Sequence, residues 1–525
     1  MWGPGQGLKN NSQLIMENRG NIKKGIVISY AVIIFSIAAG LVYTPWMVSQ
    51  IGRHDYGLYI LAVTFLSYFV VDYGMWQSIN ILISKYLSEG NQEKIEQTIG
   101  VATKIYLFID IILSIALFTI YFLIDSIFSN LSAEELIKFK NIFLIAAVFS
   151  VLNFPFNFLR GIMFAYGFIV QNRYFELFSK VVLILTIVTV LIFGGGLYWL
   201  VLVYAFVPLL KNIFMVFFLY KQGVKMDIKF WSKESVKAIF GISAWLFVYV
   251  IAELFINNIS PAIITIRSTL EQVAVFAIGL TIYGYVYQIS NAIAGFFIPK
   301  ITRMRQQEQH NEIEEYAIKM ARFQLIISGF IIFGIIVSGS QFIYAWLGEI
   351  FANSYYVASV MVIPGLIINS QQIEQSKLCV ENKIYLHSSM MLLTAISSVT
   401  ISIILVPKYG AIGAAIAIAS SNLVFMAIGM SLIYHKFLKF DARKFYAMLG
   451  RFLTVFILAA FCAMQFDKSV IETYFIVSNK WLKFLFVGVT YAFLYGFSVY
   501  YLLLNRSEKG LIKGIYSKAV KRIKR

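Results

Sequence analysis

The chain has 525 residues; 59% are hydrophobic and only 13% are charged, and its mean hydropathy is +0.77. Soluble chains carry about 25% charged residues, so this composition excludes an ordinary water-soluble enzyme and calls for helices in a membrane. The formal net charge of +18, from 44 Lys and Arg against 26 Asp and Glu, would suggest nucleic acid in a soluble protein. In a membrane protein it reflects Lys and Arg kept in cytoplasmic loops, and no nucleic-acid partner is expected.

A span needs about 20 consecutive apolar residues. The first run, 26–48, is entered by Lys23 and Lys24. It is longer than a signal-peptide core and lacks a following cleavage site, so it is expected to stay as the first span. The Gly- and Asn-rich residues before it are expected to lack structure. The runs 58–83, 105–124 and 142–165 follow, each with one charge: Asp72, Asp110 and Arg160. Pro155 predicts a kink in the last of them. The uncharged run 181–210 would make a helix about 45 Å long, and Gly194-Gly195-Gly196 divides it into spans five and six. Run 238–266 carries Glu253, and the runs 272–299, 323–348, 350–373, 384–407 and 409–435 are uncharged. The last two are 445–466, with Arg451, and 484–505, for a total of fourteen. Cys379, just past the run 350–373, and Cys462, within 445–466, lack metal-ligand spacing and read as small core residues.

Strict alternation over fourteen spans puts most Lys and Arg on one side, including those at 221–237, 300–319, 436–444 and the tail 506–525. The other side holds only Arg53, Lys138, Lys140, Arg267, Lys408, Lys468 and Lys480. The positive-inside rule therefore places both termini in the cytoplasm, and the tail reads as an amphipathic segment against anionic headgroups. No outward loop is long enough for a folded domain. The expected organisation is a cytoplasmic segment 1–24, six spans in 25–220, a basic linker 221–237, six spans in 238–436, a final pair in 445–505 and the tail. An even number of spans per half makes the halves parallel repeats.

Several short motifs carry a family resemblance. The first half reads Ile51-Gly52, Tyr56-Gly57-Leu58-Tyr59, Asp72-Tyr73-Gly74-Met75 and Ser84-Lys85-Tyr86-Leu87-Ser88. The second reads Ala274-Val275-Phe276-Ala277-Ile278, Phe297-Ile298-Pro299-Lys300-Ile301-Thr302 and Trp346-Leu347-Gly348. Over almost its whole length the chain resembles the Wzx-type polysaccharide (O-antigen or capsule) flippases of the MOP exporter superfamily, which also includes lipid II flippases and MATE drug exporters. The resemblance implies an all-α integral membrane fold, with two six-helix lobes in a V around a central cavity. It also implies alternating access that passes undecaprenyl-pyrophosphate-linked oligosaccharide across the bacterial cytoplasmic membrane, with polymerase or chain-length proteins of the pathway as further partners. The chain departs from many relatives at Asn80-Ile81, where they carry an Arg, and at Asn257-Asn258, where they carry an Asp-Arg pair.

A charge at mid-bilayer costs about 2.5–3.5 kcal/mol on insertion scales, so it faces protein or water and tends to matter. An anionic carrier needs basic side chains in a wet cavity. Lys211 lies deepest, with Arg160 and Lys180 as a cytoplasmic mouth and Lys104 and Arg322 behind. The competing readings are a Lys211 salt bridge to Asp72 or Asp110, and a helical pair between Lys180 and Glu176. Sugar needs amides, hydroxyls and rings; Asn153, Asn157, Tyr283, Tyr287, Gln288, Asn291 and Asn369 supply them. Asp72, Asp110 and Glu253 are candidates for H+ or Na+ coupling, with paired structural acids as the competing reading. No metal or other cofactor is expected.

No nucleophile motif, zinc cluster or phosphate-cradling loop occurs in the sequence. A membrane polymerase or ligase of the same pathway would present a large outer loop, so the chain is not expected to be an enzyme. A lipid II flippase is indistinguishable at this level. A drug or cation antiporter would favour an acidic cavity over one holding Lys211 and Arg160.

Overall fold

The computed structural model describes residues 11–70, 74–225, 227, 229–295, 304, 307, 310–381, 383–438, 440–468, 479–506 and 508–510. Among these residues there is no strand. The helices are α1 Asn11–Val70, α2 Met75–Ser88, α3 Gln92–Ile127, α4 Ala133–Asn153, α5 Leu159–Ala165, α6 Ile169–Ile192, α7 Leu197–Lys221, α8 Lys233–Arg267 and α9 Leu270–Gly295. They continue with α10 His310–Leu347, α11 Ser354–Val362, α12 Gly365–Ser370, α13 Gln372–Val380, α14 Ile384–Ser421, α15 Met430–Leu438, α16 Ala442–Phe466 and α17 Lys480–Ser498. Among the described residues eleven helices are long and apolar enough to cross a membrane, or twelve if the pair Ser354–Ser370 and Gln372–Leu378, bent by 56°, is one span. The chain is a multi-pass membrane protein.

Local chemistry sets the breaks. Gly52 interrupts α1 at φ 78°, and Gly74 precedes α2 at φ 77°. Both lie in the left-handed half of backbone space, which glycine enters without steric cost. A second break, at Gly410, interrupts α14. Ser132 and Glu135 form a reciprocal capping box that starts α4. The first helix begins at Asn11, well before the expected start at 26.

Among the described residues, contacts divide the chain into two compact units, 1–274 with 391–410 and 275–390 with 411–525. Helix α8, expected with the second half, belongs to the first unit because it packs against α1, α2 and α3. The core of the first unit is built around Met75, Ile79, Tyr106, Phe154 and Phe158.

In the second unit the last two long helices are not peripheral. Phe452, Phe456, Tyr491 and Tyr495 form its core with α10, and the Tyr495 hydroxyl donates to the Ile326 carbonyl at 2.7 Å. Gly329 makes this possible. A Cβ there would sit 2.8 Å from both Phe456 Cζ and the Tyr495 hydroxyl, the close approach that small residues allow between membrane helices. Overpacking costs about 1–3 kcal/mol, so Gly329→Val is expected to lower the melting temperature in detergent, whereas Gly488→Val, where a Cβ meets open space, is not. Cys462, expected in the core, is exposed beside exposed Leu458 and Phe461. This outer face of α16 is apolar, as a lipid-facing surface requires.

Candidate functional site

Arg160, Arg173, Lys180 and Lys211 of the first unit lie on α5, α6 and α7, which pack together. Asn172, Glu176 and Lys180 recur every four residues and share one face of α6. Glu176 accepts from the Asn172 amide at 3.0 Å and from the Arg173 guanidinium at 2.6 Å. Half-buried Lys211 on α7 interacts electrostatically with Glu176, Arg160 and Lys180. The acid that faces Lys211 is therefore Glu176, not Asp110.

Arg160 reaches the cluster because the chain turns where Pro155 predicts it. Helix α4 ends at Asn153, a 3-10 turn spans Phe154–Phe156, and α5 starts at Leu159. The Arg160 guanidinium then lies 4.6 Å from the Trp76 ring centroid and 5.6 Å from that of Phe164, within cation–π range. The adjacent Gly161 lets the Trp76 backbone come into contact. Asn212, next to Lys211, donates to the Asn153 Oδ1 at 3.3 Å, and Asn153 donates to the Ala205 carbonyl at 3.2 Å. These buried amides fix α7 against α4 and set the register of Lys211.

Glu176 thus pairs with Arg173 and attracts Lys180 and Lys211, while Arg160 lies close enough to Lys211 to repel it, so four cations share the neighbourhood of one carboxylate. Like charges held together among apolar helices repel more strongly than in water. A cluster left positive in this way is complementary to an anion carrying more than one charge.

The polar residues of the second unit divide into two groups. Asn369 is 4% exposed and donates to the Ser290 hydroxyl at 3.0 Å, which ties α12 to α9. Tyr287, Gln288 and Asn291 are exposed; the Tyr287 ring stacks on Tyr283 at 6.4 Å, and Asn291 accepts from Gln372 at 2.7 Å. Asn157 in the first unit is half-buried.

A family model described as "Polysaccharide biosynthesis protein" matches residues 22–305, more than half of the chain. The chain belongs to that polysaccharide biosynthesis family. Its fold is similar to that of a lipid II flippase, MurJ, in an inward closed conformation (TM-score 0.67, 12% identity, 89% of this chain and 98% of that one). It is also similar to a multidrug resistance MATE family transporter of the MOP superfamily (TM-score 0.57, 15% identity, 77% and 96%). A third similar structure is the Vibrio cholerae MATE transporter VcmN (TM-score 0.56, 12% identity, 81% and 99%). No curated protein matches significantly by sequence. The resemblance to the MOP exporter superfamily read from the motifs is borne out.

Not every charge expected in this family member's site lies in the cluster. Lys104 donates to the backbone carbonyls of Phe230 at 3.2 Å and Lys229 at 3.4 Å, so it pins the linker to α3. Arg322 belongs to the second unit, where it makes a two-pronged pair with Glu508 at 2.9 and 3.0 Å and donates to the Leu503 carbonyl at 2.8 Å. Of the acids, Asp72 lies outside the described residues, and Glu253 is half-buried on α8. Asp110 is 8% exposed, on the face of α3 that also buries Tyr106, Leu117 and Ile124. Its Oδ1 is buried without a hydrogen-bond partner among the described residues, and Ser114 donates to its backbone carbonyl instead. Among the described residues no cluster of three or more His, Cys, Asp or Glu is arranged to hold a metal.

Arg173, between the expected spans 142–165 and 181–210, lies on α6, and the expected site residues include neither Asn212 nor Trp76. The fourfold spacing of Asn172, Glu176 and Lys180 was the available signal.

Proposed function

We propose that this chain flips undecaprenyl-pyrophosphate-linked oligosaccharide repeat units from the cytoplasmic to the outer leaflet of the bacterial cytoplasmic membrane, for O-antigen, capsule or exopolysaccharide synthesis. The observation that carries the reading is the gathering of Arg160, Lys180 and Glu176 about Lys211 in a polysaccharide biosynthesis protein. A pyrophosphate is the charged part of such a carrier, and charge-assisted hydrogen bonds are the strong ones. In the second unit, exposed Tyr287, Gln288 and Asn291 are groups of the kind a sugar contacts; in the first unit, Asn157 is another.

The span count supports the same reading. Dividing the segments Tyr30–Tyr68 and Ile384–Leu438 at Gly52 and Gly410, and taking the bent pair as one span, gives fourteen. Fourteen spans with the charge bias of the loops support a topology with both termini in the cytoplasm, built as two six-helix parallel repeats and a final pair. Asp110, buried with an unpartnered carboxylate oxygen, is the proposed group for H+ or Na+ coupling, because a carboxylate in apolar surroundings readily takes up a cation or proton.

Deleting the protein is expected to leave lipid-linked repeat units on the cytoplasmic leaflet, protected in intact spheroplasts from a membrane-impermeant glycan-oxidising reagent. Equal labelling with and without the protein overturns the reading. The fold similarity to MurJ supports a second reading, a lipid II flippase. In that case loss of the protein blocks cell-wall synthesis and leaves other surface glycan intact.

A further inference from the structure

The second unit encloses a cavity of about 450 Å³ whose residues the transport reading does not use. It lies where α10 begins, α12 gives way to α13, α15 ends, α16 begins and the chain leaves its last span at Asn505. In the topology proposed above these segments lie on the cytoplasmic side, which puts the cavity at headgroup depth.

Its charges are paired in an uneven way. Lys377 faces Glu374 at 2.9 Å, Lys444 faces Asp441 at 3.0 Å and Arg322 faces Glu508 at 2.9 Å. Two poles remain. At one, Glu374 is 5% exposed; one carboxylate oxygen takes Lys377, and the other is buried with no hydrogen-bond partner among the described residues. Buried acceptors of this kind are rarely left unmet. Glu314 on the cavity wall adds to the negative charge at this pole. At the other pole, exposed Arg451 donates a single Nη2 to the Leu502 carbonyl at 3.0 Å, which leaves most of its five donors available. Ile318, Ile373, Met448 and Phe452 make the walls between them apolar.

A simple anion would meet Arg451 but leave the Glu374 oxygen unmet. A simple cation would do the reverse. The geometry points to a zwitterion: the cavity is a binding site for the headgroup of a phospholipid with a primary ammonium, phosphatidylethanolamine. Its ammonium donates to Glu374, its phosphodiester accepts from Arg451, and its glycerol and first acyl carbons lie on the apolar walls. This site shares no residue with the cation cluster of the first unit, so either proposal can fail without the other.

The test uses the full chain, delipidated in detergent, incubated with equal amounts of phosphatidylethanolamine, phosphatidylcholine and phosphatidylglycerol, and read by native mass spectrometry. One phosphatidylethanolamine per chain is expected, retained at least tenfold over the other two. Arg451→Gln, at an exposed position, is expected to lower that retention at least tenfold. Glu374→Gln is expected to erase the preference over phosphatidylcholine, whose methylated nitrogen cannot donate. Equal or better retention of phosphatidylglycerol, no retained lipid, or unchanged retention in Arg451→Gln overturns the proposal. Because Arg451→Gln disturbs no buried pair, the test holds even if Glu374→Gln fails to fold.

Discussion

Lys211→Ala is expected to reduce export of lipid-linked glycan at least tenfold without removing the protein from the membrane. Lys211 interacts with Arg160, Lys180 and the Glu176 carboxylate, which is itself engaged by Arg173 and Asn172. A hydrogen bond to a charged group contributes about 1.5–3 kcal/mol, and each 1.4 kcal/mol is tenfold in binding. Lys211→Arg keeps the charge and is expected to retain most of the export. Lys180 is more exposed than Lys211 and so less enclosed by the cluster, and Lys180→Ala is expected to cost less. Asn212→Ala serves as the structural control: it breaks the link to Asn153, and its defect should appear as lower protein level. The measurements are surface glycan per cell and protein per membrane. Normal export in Lys211→Ala removes this residue from the site.

How much of this was legible beforehand follows from what a hydropathy profile reports. It registers how apolar a segment is, so the long runs, the Pro155 turn and the intramembrane charges were readable. It does not register the direction in which a residue points. Lys104 and Lys211 look alike in sequence; one is bonded to the carbonyls of a distant linker and the other faces a carboxylate. Arg322 finds its partner at Glu508, far along the chain, and no local spacing encodes such a pair. Asn153 and Asn369 were read as sugar contacts from polarity alone; their amides bond neighbouring helices. The family motifs make physical sense only in three dimensions. Gly52 and Gly74 are positions of positive φ, and Gly57 is a point of close approach. Asp72-Tyr73 and Phe297 to Thr302 lie outside the described residues.

Gly57→Val is expected to abolish export while leaving the amount of protein in the membrane nearly unchanged. A Cβ at Gly57 would fall against the Leu270 carbonyl oxygen nearer than any real Cβ approaches, and 2.9 Å from the carbonyl carbon. Leu270 opens α9 and is buried, so the obstacle is backbone, which cannot swing aside as a side chain can. The same region is tied by the Asn130 amide on the Ile266 carbonyl and by His54 bonded to Glu135. A valine must therefore part the turn before α9 from the start of the helix that follows Gly52. The cost of such overpacking, about 1–3 kcal/mol, is small against the stability of a large helical protein. It is large against a conformational equilibrium, where 1.4 kcal/mol is a tenfold change in population. A transporter that must bring these turns together in each cycle then stalls with them apart. The reporter is a single cysteine at position 130 in a chain with Cys379 and Cys462 replaced, labelled on intact cells by an impermeant maleimide. Faster labelling in the valine variant, with export lost, is the expected pair of results. Unchanged labelling with normal export shows that the approach of Gly57 to Leu270 is not part of the cycle.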